Sequence, residues 1–163
     1  MNNFTPTEPE IRKFIVLHLN CPECRYMGET HRLAGDTYGI LLGRTSGNQL
    51  TVFDTWKDTH FFDELSRLRS TLMPKAVEPM LSDCFRKVIG RVCDPSPSGE
   101  NYDFTGKILC PNCKSSNVMH YADEPFRFAE INIPNISHKK WNTFNDDEKA
   151  IFMMKELDQL GCI

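Results

Sequence analysis

Two Cys-Pro-X-Cys motifs constrain this chain more than any other feature of its sequence. The first occupies residues 21–24 and the second residues 110–113. Two intervening residues allow both thiolates of a motif to reach one metal ion, with each sulfur about 2.3 Å from it. The proline fixes φ where the turn begins. Together the motifs offer the four ligands of a tetrahedral site, so we predict one structural Zn²⁺ bound by Cys21, Cys24, Cys110 and Cys113.

Other uses of the cysteine pairs are less consistent with the surrounding sequence. A redox dithiol of the thioredoxin type opens a helix within a β-α-β unit. Here each motif follows a strand-like segment and precedes turn-forming residues, which disfavours redox catalysis. A rubredoxin-type iron bound by the same four thiolates stays open as an alternative. Separate metal ions at the two motifs also stay open.

Residues 109–118 resemble one half of a zinc ribbon, and residues 20–25 resemble the other half. The resemblance is to a structural element and implies a closed, structural metal site. Ribbon knuckles often carry glycine after the second cysteine, whereas this chain has Arg25 and Lys114, whose charges could offset that of a Zn(Cys)₄ centre. The two cysteine pairs are separated by 85 residues, from Arg25 to Leu109. Loop-closure entropy grows only logarithmically, so the ion would join distant segments at a tolerable cost.

The hydrophobic patterns predict an α+β fold in a single domain over residues 1–163. A zinc-stapled antiparallel sheet is expected from residues 11–54 and 104–136. Residues 11–19 read as a central strand covered on both faces, and residues 38–42 and 50–53 as a hairpin. Residues 107–109 and 117–121 suggest a second, metal-tipped hairpin. The alternation slips by one between Phe128 and Ile131, which predicts a β-bulge.

Helices are expected in two places. A two-helix insertion is predicted at residues 58–93, because Phe61, Leu65, Leu68 and Leu72 recur at helical spacing and Pro74 ends the stripe. The second of these helices is predicted to begin near Lys75. A C-terminal helix is predicted at residues 143–161, with a capping box at its start and a glycine at its end.

Charge and composition limit the partners that the chain is expected to have. The formal net charge is −3, and a Cys₄ zinc site would bring it near −5. This balance argues against general attraction to nucleic acid. No apolar run approaches the roughly 18 residues of a membrane span, and the polar N-terminus does not resemble a signal peptide. We therefore expect a cytoplasmic protein with no membrane partner.

A group of basic residues and three further cysteines complete the candidates. The basic residues, which fall on the two predicted central helices, are Arg67, Arg69, Lys75, Arg86, Lys87 and Arg91. They would form a patch for an anionic partner if they converged, but a solvated helix surface is the favoured interpretation. Cys84 is expected to pack in the core, Cys93 to end its helix, and Cys162 to have no partner.

Three classes of function stay open at this stage. A small, acidic chain with a closed metal site and no catalytic motif favours a module that binds another protein, and a bacterial immunity or toxin-inhibiting protein is a concrete hypothesis within that class. A zinc-ribbon protein that binds nucleic acid, with a role in transcription, is the alternative. An enzyme without a recognisable motif is the second alternative, since the sequence contains no P-loop and no G-x-S-x-G motif.

Overall fold

A computed structural model describes residues 9–74 and 82–163. The predicted start of the second helix near Lys75 lies outside these residues. Ten elements follow one another along the chain: β1 (Glu10–Asn20), β2 (Met27–Leu33), β3 (Ile40–Arg44), β4 (Leu50–Asp54), α1 (Thr59–Leu72), α2 (Asp83–Val92), β5 (Met119–Ala122), β6 (Phe128–Ile133), α3 (Lys139–Asn142) and α4 (Asp146–Gln159). The antiparallel strands and the separate helices confirm the predicted α+β class.

Strand β1 lies at the centre of a four-stranded antiparallel sheet. Strand β2 pairs with one edge of β1, while β5 and β6 pair one after the other with its opposite edge. The side chains in the middle of β1 are buried on both faces, among them Phe14, Ile15, Val16 and Leu17. A continuous apolar run is what a strand covered on both faces requires, so the prediction of a central strand is confirmed.

The predicted single sheet is divided into two. Strands β3 and β4 form the expected hairpin, but they make a sheet of their own. Val52 of β4 bridges in parallel to Asn135, just beyond the end of β6. The two sheets therefore meet along this connection, and Val52 packs with Phe14 and Ile133 in a small core between them.

Two details of the strand prediction are wrong. Strand β5 pairs with β1 and not with residues 107–109, which form no strand. The long β1 strand offers a free edge next to the first knuckle, and that edge receives β5. The predicted bulge in β6 is absent as well, because Phe128 to Ile133 pair one-to-one with β1. Phe128 instead lies on the face opposite to Ile131 and is about half exposed.

The helices pack around the main hydrophobic core. Helices α1, α2 and α4 contribute Phe61, Leu65, Ile89, Met153 and Leu157, which are almost completely buried. The two-helix insertion and the C-terminal helix are confirmed. The N-terminus of α4 has the expected capping box, in which the Asn145 side chain accepts a hydrogen bond from the Glu148 N–H and the Glu148 side chain accepts one from the Asn145 N–H.

Candidate metal centre

The two Cys-Pro-X-Cys knuckles have the same backbone geometry. The N–H of Arg25 donates to the Cys21 carbonyl at 2.8 Å, and the N–H of Lys114 donates to the Cys110 carbonyl at 2.9 Å. Arg25 and Lys114 have φ angles of 62° and 63°. This left-handed conformation explains why a ribbon knuckle often carries glycine there, and why a non-glycine residue adopts it at some cost. The matched turns aim both cysteine pairs at a common point.

The four sulfur atoms are close enough to share one ion. The Sγ atoms of Cys21 and Cys113 are 3.6 Å apart, and those of Cys24 and Cys110 are 3.5 Å apart. All four Sγ atoms lie within 4.8 Å of one another. A Zn–S distance of about 2.3 Å in a tetrahedron requires sulfur atoms about 3.8 Å apart. The cluster predicted from the sequence is thus formed, and it could hold a metal ion.

The centre lies at the boundary between the core and the solvent. Cys21 and Cys110, the first cysteine of each motif, are completely buried and pack with Leu19 and Val118. Cys113 is exposed. An ion bound here would have the apolar side chains of Leu19 and Val118 on one side. It would connect this small core to the turns of the two knuckles at the surface.

The pKa values of the thiols reflect their crowding. Hydrogen bonds from the Asn112 side chain and the Tyr26 backbone lower the pKa of Cys24 to about 6. A hydrogen bond with the Ser115 backbone lowers the pKa of Cys113. Desolvation and the contacts with the other three sulfur atoms raise this pKa by more, so that the net result is a pKa of about 12. Thiols this close cannot all ionise unless a cation compensates their charge. The donor set therefore fits a divalent metal ion.

Three strands meet where the knuckles meet. Asn20, the last residue of β1, pairs with Met27 at the start of β2 and with Met119 at the start of β5. The side chain of Asn117 also donates to Glu23 at 2.7 Å, which joins the two knuckles directly. A metal ion at this position would fix the end of the sheet, as the resemblance to a zinc ribbon implies.

The same register produces an exposed apolar surface that sequence reasoning missed. Directly paired residues lie on one face of a sheet, and so do residues two positions apart on a strand. Two neighbouring rows therefore share a face, which we name the knuckle-end face. Its first row is Met27, Asn20 and Met119, and its second row is Glu29, His18 and Tyr121. Met27 is 77% exposed, Met119 55% and Tyr121 57%. Only the strand pairing brings these apolar residues together, so no local pattern in the sequence indicated them.

No family model, curated protein or solved structure matches this chain. Any function must therefore be inferred from the geometry of the chain itself. None of the helices in residues 9–74 and 82–163 is both long enough and apolar enough to cross a membrane.

The basic residues predicted as a patch lie in several environments. Arg69 on α1 is buried. Arg86 lines a cavity of about 730 Å³ between the two sheets and α1. Lys87 and Arg91 line a separate cavity of about 320 Å³, to which Arg44 also contributes. Arg67 lies on α1, and Lys75 lies outside the described residues.

The remaining cysteines differ from expectation at two positions. Cys84 and Cys162 form a disulfide with a Cα–Cα distance of 5.9 Å, which connects α2 to the C-terminal tail. The expectation that Cys162 has no partner is therefore wrong, because the fold brings two residues 78 positions apart into contact. Burial raises the pKa of Cys93 to about 12, so this thiol is protonated at neutral pH. Disulfides persist mainly in oxidising compartments, and a cytoplasmic location stays a prediction.

Proposed function

We propose that this chain is a protein-binding module whose binding surface is organised by one structural Zn²⁺ ion. The observation that carries the proposal is the knuckle-end face, where Met27 of β2 and Met119 and Tyr121 of β5 are exposed on either side of β1, next to the metal cluster. Adjacent exposed apolar side chains mark interaction surfaces on soluble proteins. Methionine and tyrosine are also enriched at the centres of protein interfaces.

Zinc is the metal that fits this role best. Four thiolates in tetrahedral arrangement leave no position for water or substrate, so the site would be structural. The ion would join the ends of β1, β2 and β5, on which the apolar side chains stand. Loss of the metal should therefore disorganise the binding surface as well as the local fold.

The surroundings of the face suit an interface with a polar rim. Arg127 forms an ion pair with Glu29, and His18 is 2.9 Å from the Asp123 carboxylate. The face is therefore mixed: Asn20 and His18 of β1 lie between the exposed apolar side chains of β2 and β5, and such alternation of apolar and polar groups is common in protein interfaces. A narrower form of the proposal is that the partner is a toxin that the chain inhibits, as an immunity protein would.

A paired substitution tests the proposed surface. Met27→Lys combined with Met119→Lys places one charge on each side of Asn20 on the knuckle-end face. The matched control is Ile151→Lys combined with Met154→Lys, because these residues of α4 are also exposed, at 63% and 47%. Tagged wild-type, test and control chains would be used to capture partners from the native lysate, with and without nuclease.

The proposal predicts that wild type and control capture the same protein in stoichiometric amount, and that the test variant loses it by at least tenfold. Nuclease should not change this result. Equal capture by all three chains would refute the knuckle-end face as the binding surface. Nucleic acid that disappears with nuclease, without a captured protein, would favour the alternative function.

Nucleic-acid binding has less support than protein binding. Arg86 lines one cavity, Lys87 and Arg91 line another, and Arg69 is buried, so these four residues do not form one surface patch. The alternative still makes a clear prediction, since charge reversal at Arg86 and Lys87 would reduce affinity for nucleic acid and flatten its dependence on salt. Unchanged affinity and salt dependence would refute it.

A further inference from the structure

A basic cavity of about 320 Å³ lies between α2, the β3–β4 turn and the segment that leads into the second knuckle. Arg44, Lys87, Arg91 and Lys107 contribute four positive charges to its wall, and Asp103 contributes one negative charge. We name it the basic cavity. An excess of three positive charges in one small cavity is unexpected in a chain whose net charge is −3.

Three carboxylates partly compensate these four charges: those of Asp103, Glu156 and Glu100, the last of which accepts a hydrogen bond from the Ser46 hydroxyl on the cavity wall. The ion pair formed by Arg91 is long, with 3.9 Å between its Nη1 and the Glu156 carboxylate. The carboxylate of Asp103 is engaged locally, because its Oδ1 accepts hydrogen bonds from the N–H and the hydroxyl of Thr105 at 2.7 and 2.5 Å. The cavity therefore keeps a positive field that a bound anion would neutralise.

Arg44 is the most buried of the four cations. It is only 5% exposed, and its guanidinium donates to the Thr30 hydroxyl and to the His31 carbonyl, the latter at 2.7 Å. These acceptors carry no formal charge, and burial lowers the pKa of Arg44 to about 10. A buried guanidinium without a carboxylate partner is costly, and an anion in the cavity would reduce that cost.

We propose that the basic cavity binds a small anion bearing two linked phosphoryl groups. The guanidinium of Arg91 is 41% exposed and suits bidentate recognition of phosphate oxygens, and the two lysines add point charges. Arg44 adds its charge, because its terminal nitrogens already donate to Thr30, His31 and Asn48. The Thr45 hydroxyl accepts a hydrogen bond from the Gln49 N–H and can donate its own proton to a phosphate, whereas the Ser46 hydroxyl donates to Glu100. A volume of about 320 Å³ accommodates one small ligand and not a polymer.

Inorganic pyrophosphate is the probe that tests the proposal. Its binding would be measured by isothermal titration calorimetry on the zinc-loaded full chain, and the zinc content would be checked afterwards because pyrophosphate itself complexes metals. The test variant is Lys87→Gln with Lys107→Gln, which keeps both side chains long and removes two charges. The control is Lys139→Gln with Lys155→Gln, two exposed lysines on α3 and α4 that do not line the cavity.

The proposal predicts that wild type and control bind one pyrophosphate per chain, and that the test variant binds roughly tenfold or more weakly with an unchanged melting temperature. Inorganic phosphate should bind more weakly than pyrophosphate, because it engages fewer of the cations. No binding by wild type at millimolar pyrophosphate would overturn the proposal, as would equal affinity of the test and control variants. Binding of short single-stranded RNA in place of pyrophosphate would assign the cavity to nucleic acid instead.

Discussion

The close contact between Gly90 and the backbone of Tyr102 gives a sharp prediction. Gly90 lies in α2, and a Cβ atom at this position would be 1.7 Å from the Tyr102 carbonyl oxygen. Ordinary contacts of a Cβ atom begin near 3.4 Å. Gly90→Ala would therefore require α2 and the Tyr102 backbone to move apart by more than about 1 Å in a tightly packed region.

The expected cost follows from three terms. Overpacking in a core costs about 1–3 kcal/mol, and this contact with rigid backbone is at the upper end. Displacing Tyr102 also disturbs the paired backbone bonds of 3.0 and 2.9 Å between Arg44 and Asp103, each worth about 1 kcal/mol. The higher helix propensity of alanine stabilises the variant by about 1 kcal/mol, which partly offsets these losses. We expect Gly90→Ala to lower the free energy of unfolding by about 3 kcal/mol if one of the two bonds is lost and by about 4 kcal/mol if both are.

Urea unfolding of zinc-saturated protein measures this loss. The control is Gly47→Ala in the β3–β4 turn, where the nearest atom to an added Cβ is a Glu100 carboxylate oxygen at 3.4 Å. That variant should change the stability by less than about 1 kcal/mol. A Gly90→Ala protein as stable as wild type would refute the reasoning, because it would mean that α2 and the Tyr102 segment do not pack as described.

Three further predictions concern the cross-links and one buried histidine. Cys21→Ser combined with Cys24→Ser removes both thiolates of the first knuckle, and with them the metal link from Cys24 to Cys110, 86 residues away. The double variant should cost about 4–5 kcal/mol on the loop-closure model. Zinc-saturated urea unfolding measures this cost, and a loss below about 1 kcal/mol would count against a metal cross-link. Cys84→Ser should lower the free energy of unfolding by about 4 kcal/mol, because Cys84 is bonded to Cys162 across 78 residues. The variant should also lose the sensitivity of its melting temperature to reductant. A variant that responds to reductant as wild type does would contradict the disulfide. Burial lowers the pKa of His138, but its 2.8 Å contact with the Asp58 carboxylate raises it by more, above the ordinary 6.5. The stability that His138 contributes should therefore be complete below pH 6.5 and disappear as the pH rises through the raised pKa. The difference in unfolding free energy between wild type and His138→Gln should shrink over that range. A difference that grows with pH would contradict a raised pKa for His138.

The sequence predicted the structure best where a local pattern of residues is compatible with only one arrangement. The two cysteine pairs required a common metal-sized site, and the sulfur atoms of Cys21 and Cys113 are 3.6 Å apart. The capping box at Asn145 and the glycine at 161, which has a φ of 71°, bounded the last helix correctly. These features depend on residues a few positions apart, or on ligands whose chemistry forces them together.

The features that could not be predicted depend on long-range pairing. Strand β2 has no apolar alternation and becomes a strand because it pairs with β1. The predicted bulge would have placed Phe128 on the same face as Ile131, but the one-to-one register with β1 puts them on opposite faces and leaves Phe128 about half exposed. The knuckle-end face and the basic cavity likewise arise from segments that only the fold brings together.

The most direct test of the account is to determine the metal and its ligands in the purified chain. Elemental analysis would give the metal content, and X-ray absorption at the metal edge would give the coordinating atoms. The account predicts one zinc ion per chain, surrounded by four sulfur atoms at about 2.3 Å. Two zinc ions per chain, iron in place of zinc, or a first shell containing nitrogen or oxygen would contradict a single shared Zn(Cys)₄ centre.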